Sequence, residues 1–395
     1  MTSAVSIRSV FAMPLFWLAA TTVLATMVEG DPDSSLISVY DNLIINGEPV
    51  EYDPSDYTIH DPSRIVTVGD KQMIAVTGKA QEEGYNCGIE TWWRKKDGEG
   101  DWKPGQCLFR TKPSWVGVQA ELNDGAFWAP ELDLEDGALT LLYSVSEMDA
   151  REGGPNTCVG VAKSTTGLKG FPDNLTWEDV GEPLTCISGS SYVEERSAID
   201  PSTFWGFGKN KDKLFLVTGG GRIIGTELDP TTYLQKDKKW FEKGGTDWTE
   251  LSTGPNSEDD NWVEAAFIYP KKKTGYYYLF VNWGACCSGV DSTYEIRVGR
   301  SKNPMGPYLD KKGVDMMNGG GTSFEKTKGD VIGPGHPAIW RKNRKKEYIS
   351  FHYYDKRREG NSWIAEKQLR WRKGWPKTKK RIVSMFPTNR LNSDE

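Results

Sequence analysis

Apolar residues in this chain cluster in short runs separated by turn signals, and the runs alternate or fill completely instead of recurring every three or four positions. That pattern predicts β-strands of five to eight residues and no long amphipathic helix. Five segments share one plan: a polar residue beside Pro or a small residue, an apolar strand, a charged or Gly-containing turn, and a second strand. They read HDPSRIVTVGDKQMIAVTG from His60, WAPELDLEDGALTLLYSVS from Trp128, AIDPSTFWGFGKNKDKLFLVTG from Ala198, VEAAFIYPKKKTGYYYLFVN from Val263 and HPAIWRKNRKKEYISFHYY from His336. With Asp61, Pro130, Asp200, Glu264 and His336 as markers, the spacings are 69, 70, 64 and 72 residues. A repeat near seventy residues, each unit holding several short strands, describes the blades of an all-β propeller. Two β-sandwiches would give no reason for such a period. Tyr276–Phe280 and Leu139–Tyr143 are strand runs bounded by Gly275 and Gly137, and Cys158–Ala162 and Ile296–Gly299 read as strands further out.

One segment stands outside the repeat. Residues 1–30 place Arg8 before an apolar run from Val10 to Val28, and small residues at Ala25 and Gly30 suit cleavage. This reads as a signal peptide; Pro14 and the lack of a basic cluster after the run disfavour a membrane anchor. Residues 31–395 are then expected to form a single domain with no further membrane segment, secreted and monomeric.

Composition narrows the function classes. Lys plus Arg is 49 against 55 for Asp plus Glu, a net charge of −6, and the mean hydropathy is −0.57. A mildly acidic chain argues against nucleic acid as the partner, since that needs basic patches; the basic stretch Lys373–Arg381 reads as an exposed end. Sixteen Trp without a basic excess suit a neutral partner with apolar faces, such as carbohydrate. Six cysteines without CxxC spacing agree with an oxidising destination and not with zinc. Cys87 with Cys107 and Cys158 with Cys186 are near enough in sequence to pair, while Cys286 and Cys287 read either as a local bridge or as two buried thiols. Asn174-Leu175-Thr176 is the single N-glycosylation sequon.

In a propeller the first strands of all units converge on one axis, so Asp61, Asp200 and Glu264 become neighbours. Three clustered carboxylates raise the pKa of at least one, as a general acid near neutral pH requires. A lone Asp-Pro is more often a turn residue, the reading given to Asp53-Pro54 and Asp229-Pro230. Trp115, Phe127 and Trp128 are candidate walls for sugar rings, although most of the tryptophans should pack between blades.

These motifs resemble glycoside hydrolase family 43, most of all its endo-1,5-α-L-arabinanases. The matching residues are His60-Asp61-Pro62-Ser63, Phe127-Trp128-Ala129-Pro130-Glu131, Ala198-Ile199-Asp200-Pro201-Ser202, Val263-Glu264-Ala265, Cys286-Cys287-Ser288-Gly289, Val298-Gly299-Arg300-Ser301, Asn318-Gly319-Gly320-Gly321-Thr322 and Gly333-Pro334-Gly335-His336. They run in order from about residue 57 to 376. The resemblance implies a five-bladed β-propeller that cleaves arabinan of plant cell walls with inversion. It implies that Asp61 is the general base, Glu264 the general acid and Asp200 the carboxylate that orients Glu264. It further implies that His336, with water, holds a calcium or similar ion near the axis; a buried histidine bonded to backbone is the competing reading. Glu264-Ala265-Ala266 departs from the family's Glu-Ala-Pro or Glu-Gly-Pro, and Gly219-Gly220-Gly221-Arg222 stands where aromatics are usual. An exo-acting arabinofuranosidase, a β-xylosidase and a catalytically silent carbohydrate-binding propeller remain as alternatives.

Overall fold

The computed structural model describes residues 44–45, 48–49, 58–78, 87–96, 102–109, 111–117, 126–146, 155–188, 197–235, 248–255, 262–343 and 345–384. The expected signal peptide, Asp53-Pro54 and the boundary at residue 31 lie outside them. Five antiparallel sheets follow one another along the chain and form a five-bladed β-propeller. Blade 1 comprises Val66–Val68, Lys71–Thr77, Ile89–Lys95 and Lys103–Cys107. Blade 2 comprises Phe127–Glu135, Ala138–Val145, Pro155–Ser164 and Trp177–Asp179, with Thr185–Ser188 also paired to its third strand. Blade 3 comprises Ser202–Trp205, Leu214–Thr218, Arg222–Leu228 and Thr249–Thr253. Blade 4 comprises Val263–Lys271, Tyr276–Trp283, Glu295–Ser301 and Thr322–Lys326, and blade 5 Val331–Asn343, Lys346–Asp355, Ser362–Arg372 and Trp375–Ser384. Lys373–Arg381 is therefore no loose end: its turn and the strand that follows form the outer edge of blade 5, paired to Ser362–Arg372.

Turn chemistry fixes the hairpins. Asp136 and Gly137 (φ 48° and 78°) join the first two strands of blade 2 as a two-residue loop whose left-handed backbone matches strand twist. Asp229 accepts the amides of Thr231 and Thr232, as its Asp-Pro turn predicts. The second strands, such as Tyr277–Val281 and Leu139–Val145, are buried along their length because both faces pack on other blades.

Each hydrophobic cluster fills a seam. Val66, Phe109, Phe127 and Tyr143 join blades 1 and 2; Val161, Leu216 and Ile224 join blades 2 and 3; Phe204, Ile268 and Leu279 join blades 3 and 4. A larger cluster including Trp92, Phe280, Phe351 and Trp363 joins blade 5 to both blades 4 and 1. Two cysteine pairs reinforce single blades: Cys87–Cys107 in blade 1, and Cys158–Cys186 between directly opposed strand residues of blade 2. Cys286–Cys287 is the local bridge.

The ring closes between blades 5 and 1. The Ile59 amide donates to the Ser362 carbonyl at 3.1 Å, and Trp92 meets Trp363 edge to face at 5.4 Å. Arg94 donates from Nη1 and Nη2 to the two carboxylate oxygens of Glu366 at 2.5 and 2.9 Å, both side chains less than 5% exposed. Its Nε reaches Gln72 at 2.8 Å, so the buried guanidinium has its fork and its remaining edge satisfied. Removing one member strands a buried charge at a cost of about 3–5 kcal/mol, whereas replacing both is close to neutral. Arg94→Met should therefore lower unfolding stability in urea by about 3 kcal/mol, and Arg94→Met combined with Glu366→Met should recover most of it. A loss below about 1 kcal/mol in the single variant would show that this pair does not hold the closure.

Candidate active site

An unusual backbone feature lies in or just before the first strand of every blade. Five non-glycine residues, one per blade, have left-handed backbone: Asp61 (φ 45°), Ala129 (48°), Asp200 (53°), Ala265 (54°) and His336 (52°). They lie 68, 71, 65 and 71 residues apart, and in blades 2, 4 and 5 the pairing with the second strand skips at this point. Such bulges turn the chain and re-aim its side chains. The true equivalents across blades are these five residues, so Pro130 and Glu264 are each displaced by one from the marker alignment. Glu264 precedes the left-handed residue of blade 4, in the place held by His60, Trp128, Ile199 and Gly335 elsewhere.

A bulge amide would be left without a ladder partner, and in four blades a side chain near the end of the preceding blade's second strand accepts it. The Ala129 amide donates to Thr77 Oγ1 at 3.0 Å, Asp200 to Ser144 Oγ at 3.0 Å, His336 to Asn282 Oδ1 at 3.1 Å, and Asp61 to His352 Nδ1 at 3.2 Å. The junction of blades 3 and 4 differs. There the Ala265 amide donates to Oδ2 of Asp200 at 2.7 Å, while Thr218, in the corresponding strand position, bonds the Ile199 carbonyl at 2.5 Å. One layer further along the same strands, Arg64 bonds Glu131, donates to the Thr203 carbonyl at 2.5 Å and lies 3.5 Å from Asp133, clamping blades 1, 2 and 3 together.

Asp61, Asp200 and Glu264 come from three blades, yet their charges act on one another. Burial alone would raise the pKa of Asp61, but His60, His352 and His336 outweigh it and hold the carboxyl well below the usual range. His60 Nδ1 is 2.8 Å from Oδ2, Thr77 Oγ1 donates to the same oxygen at 2.8 Å, and His336 and His352 stand 3.5 and 3.4 Å from Oδ1. Glu264 moves the other way: burial first, then the charge of Asp61, push it up to about 7, against the Trp262 indole N–H that donates to Oε2 at 2.7 Å. The Tyr294 hydroxyl bonds its other oxygen. Asp200 is also raised, by burial and then by Glu264 and Asp61. One site thus holds a carboxylate that stays ionised and a carboxyl that keeps its proton near neutrality.

A hydrogen-bonded chain steadies the ionised end. The Cys287 amide donates to the Tyr354 hydroxyl at 2.7 Å, and that hydroxyl is 2.8 Å from His60 Nε2, whose other nitrogen faces Asp61. With Nδ1–H directed at Asp61, Nε2 accepts the phenol proton, so every donor in the chain finds an acceptor. Cys287 is itself left-handed (φ 66°) within the vicinal bridge. His60 also stacks on His352 at 4.1 Å. The lone pair of His352 that receives the Asp61 amide places its proton on Nε2, which has no partner among the described residues.

The described residues that bring three metal-ligating atoms within 4.8 Å are His60, Asp61 and His352; His336 borders this group without belonging to it. Both nitrogens of His60 and Nδ1 of His352 already have protein partners. Calcium takes six to eight oxygen ligands, and the cluster supplies one carboxylate. The residues fit only a cation held by a ring nitrogen of His336 with water as its other ligands.

The aromatic candidates separate. Phe127 is 1% exposed and packs against Phe109 and Tyr143, so it offers no face to a sugar. Adjacent strand residues point to opposite faces, and this sends Phe127 into the seam and its neighbour Trp128, partly exposed, to the other side. Trp115 donates to Asp179 Oδ1 at 2.8 Å on the outermost strand of blade 2, away from the axis. Of the three, Trp128 remains at the level of the carboxylates. Sequence reasoning missed Trp262, Tyr294, Tyr354, Thr77, Ser144 and Asn282.

A propeller whose axis holds paired carboxyl groups with opposed proton affinities is the arrangement of a glycoside hydrolase. The model of glycosyl hydrolases family 43 matches residues 66–376, and the chain belongs to that family. It is 30% identical to an extracellular exo-α-(1→5)-L-arabinofuranosidase of Cellvibrio japonicus, over 76% of this chain and 87% of that one. It is equally 30% identical to an extracellular endo-α-(1→5)-L-arabinanase of Bacillus subtilis, over 82% and 88%. Among solved structures, the Cellvibrio cellulosa α-L-arabinanase complexed with arabinohexaose superposes with a TM-score of 0.65 at 28% identity, covering 86% of this chain and 98% of that one.

The raised pKa of Glu264 has a consequence for stability. The folded state holds the proton more tightly than the unfolded chain, whose carboxyl titrates near 4.5. Stability is therefore lost as pH rises from about 4.5 through about 7. Glu264→Gln removes the ionisation, so the variant should match the parent at pH 5 and exceed it at pH 8 by roughly 1–3 kcal/mol. Thermal unfolding at the two pH values checks this, and a pH-independent difference would refute the assignment.

Proposed function

We propose that this protein is exported and cleaves the α-1,5-L-arabinofuranosidic bonds of arabinan with inversion. The carrying observation is the opposed pair: Asp61 held ionised by its neighbours, His60 foremost, and Glu264 held protonated by burial. In this reading Glu264 gives its proton to the leaving glycosidic oxygen. Asp61 takes a proton from the water that attacks the anomeric carbon from the opposite face. Water ends as the new hydroxyl, and both carboxyl groups exchange protons with solvent before the next turnover. Asp200 fixes the backbone beside Glu264 through the Ala265 amide and so orients the acid. The chain Cys287–Tyr354–His60 orients Asp61, and Trp128 offers an aromatic face to a sugar ring. A silent binding propeller would have no use for this tuning.

The relatives' names support the substrate, and their being named extracellular supports export together with the disulfides. Equal identity to an exo-acting and an endo-acting relative makes exo action the second reading. A calcium or similar ion, where bound, would be held by His336 and water and would add positive charge close to Asp61.

On linear arabinan the parent should release short oligosaccharides, or arabinose alone in the exo case. Glu264→Gln and Asp61→Asn should each lower kcat about a thousandfold or more with the fold intact. The kcat/KM profile should fall above a midpoint near pH 7, where Glu264 loses its proton. No activity on arabinan or xylan would refute the enzymatic reading, and an active Asp61→Asn protein would refute the residue roles. For the ion, a chelator should lower kcat and added calcium should restore it; unchanged kcat and Tm after chelation would remove the ion from the proposal.

A further inference from the structure

Charge is distributed unevenly along this chain. Residues 341–381 contain 16 Lys and Arg against 4 Asp and Glu, while the rest of the protein contains 33 against 51. Blade 5 is thus strongly basic on a protein whose net charge is −6. The excess is greatest at its outer hairpin, where residues 367–381 include 8 basic and no acidic side chains. Lys367 is neutralised by Glu325 at 2.5 Å. The other seven form no ion pair among the described residues, and all but the half-buried Lys379 are exposed.

Folding does not call for this arrangement. Arg370 sits directly opposite Lys377 in the strand register, and like charges so placed destabilise a sheet by roughly 0.2–1 kcal/mol. Lysines on an exposed edge can guard against edge-to-edge pairing, but the other four blades supply a comparison. Their outermost strands read KPGQC, WED, TELST and TSFEK, with at most one basic residue other than Lys103 between them, whereas blade 5 ends in WPKTKKRIVS. Edge protection alone would apply to all five. Blade 4 extends the positive strip: Lys311 Nζ lies 5.4 Å from the Trp375 ring, and burial and then the charge of Lys377 weaken its hold on its proton.

We propose that the outer edge of blade 5 is a docking surface for a carboxylate-bearing polysaccharide of the polyuronide class. The inference rests on the reading that the enzyme acts on arabinan, a neutral polymer carried in plant cell walls on uronic-acid polysaccharides. A row of exposed cations along two strands matches a linear polyanion, and extracellular action favours a polyuronide over nucleic acid. Three strand spacings separate this edge from the inner strand, about 14 Å. Docking there leaves the axial site open and raises the local concentration of substrate around it.

The test uses the full chain and immobilised polygalacturonate. The parent should be retained at 50 mM NaCl and released at 1 M, where the Debye length falls to about 3 Å, with no salt-dependent retention on neutral linear arabinan. The combined Arg370→Gln, Lys377→Gln, Lys380→Gln and Arg381→Gln variant should bind at least tenfold more weakly while cleaving soluble neutral arabino-oligosaccharides at the parental rate. A charge-preserving variant carrying Arg370→Lys, Lys377→Arg, Lys380→Arg and Arg381→Lys should bind like the parent. Equal retention of the neutralised variant would overturn the proposal, as would equally tight parental binding to duplex DNA or to phosphatidylserine vesicles at the same salt. If oligosaccharides are not cleaved but retention and its loss occur as expected, the activity reading fails and the docking surface stands.

Discussion

The structure depends on how the amides of five left-handed residues, one per blade, are satisfied. In or just before the inner strand of every blade the chain turns through a left-handed residue that is not glycine, a conformation that costs of order 1 kcal/mol or more at each position. The bulge also takes an amide out of the sheet ladder, and leaving such a group buried without a partner costs a further 1–3 kcal/mol. All five amides are accepted by a side chain of the preceding blade, four of them from its second strand. The interaction that rescues the backbone is therefore also the one that joins neighbouring blades at the axis. Strain, closure and site geometry have a common origin here, because the bulge that needs rescue is what aims Asp61, Asp200 and Glu264 inward.

The electrostatics follow from that geometry. Three carboxyl groups brought together by symmetry would repel alike, yet the blades supply different neighbours. Blades 1 and 5 surround Asp61 with three imidazoles, whereas blade 4 gives Glu264 an indole and a phenol, and blade 3 gives it another carboxylate. All three histidines of the chain are spent on one aspartate. Burial of His352, then the neighbouring His60, drives its pKa down to about 3, so its ring remains neutral and serves as a lone-pair acceptor. His60 is instead raised, because Asp61 outweighs its burial.

Much of the fold was legible because it is periodic. Asp-Pro, Ala-Pro and His-Pro pairs at seventy-residue intervals, with Asp136-Gly137 and similar turns between apolar runs, report local backbone needs that only certain residues meet. The three carboxylates were legible for the same reason. The second-strand acceptors were not: Thr77, Ser144, Asn282 and His352 share a place in the fold and a polar atom, but no residue type, so no motif marks them. Phe127 and Trp115 misled because an aromatic beside a motif looks alike whether it faces a seam or a cleft; only strand parity and the partner at Asp179 separate the cases. Glu264 was aligned one residue away from its structural equivalents because Ala265 and Ala266 stand where the other blades place a left-handed residue and a proline.

The junction of blades 3 and 4 shows what the departure from symmetry achieves. If Thr218 accepted the Ala265 amide, as its counterparts accept the other four, Asp200 would be free to turn away from Glu264. Thr218 instead bonds within its own blade, and the Asp200 carboxylate takes over the rescue of the Ala265 bulge. The group that closes the ring at this point is thereby held next to Glu264, and burial and then the charge of Glu264 raise its own proton affinity. Its side chain cannot swing out to relieve the repulsion without stranding a buried amide. The cost of keeping two carboxyl groups together is borne by a hydrogen bond that the propeller needs in any case, while burial and then the charge of Asp61 push Glu264 up to about 7.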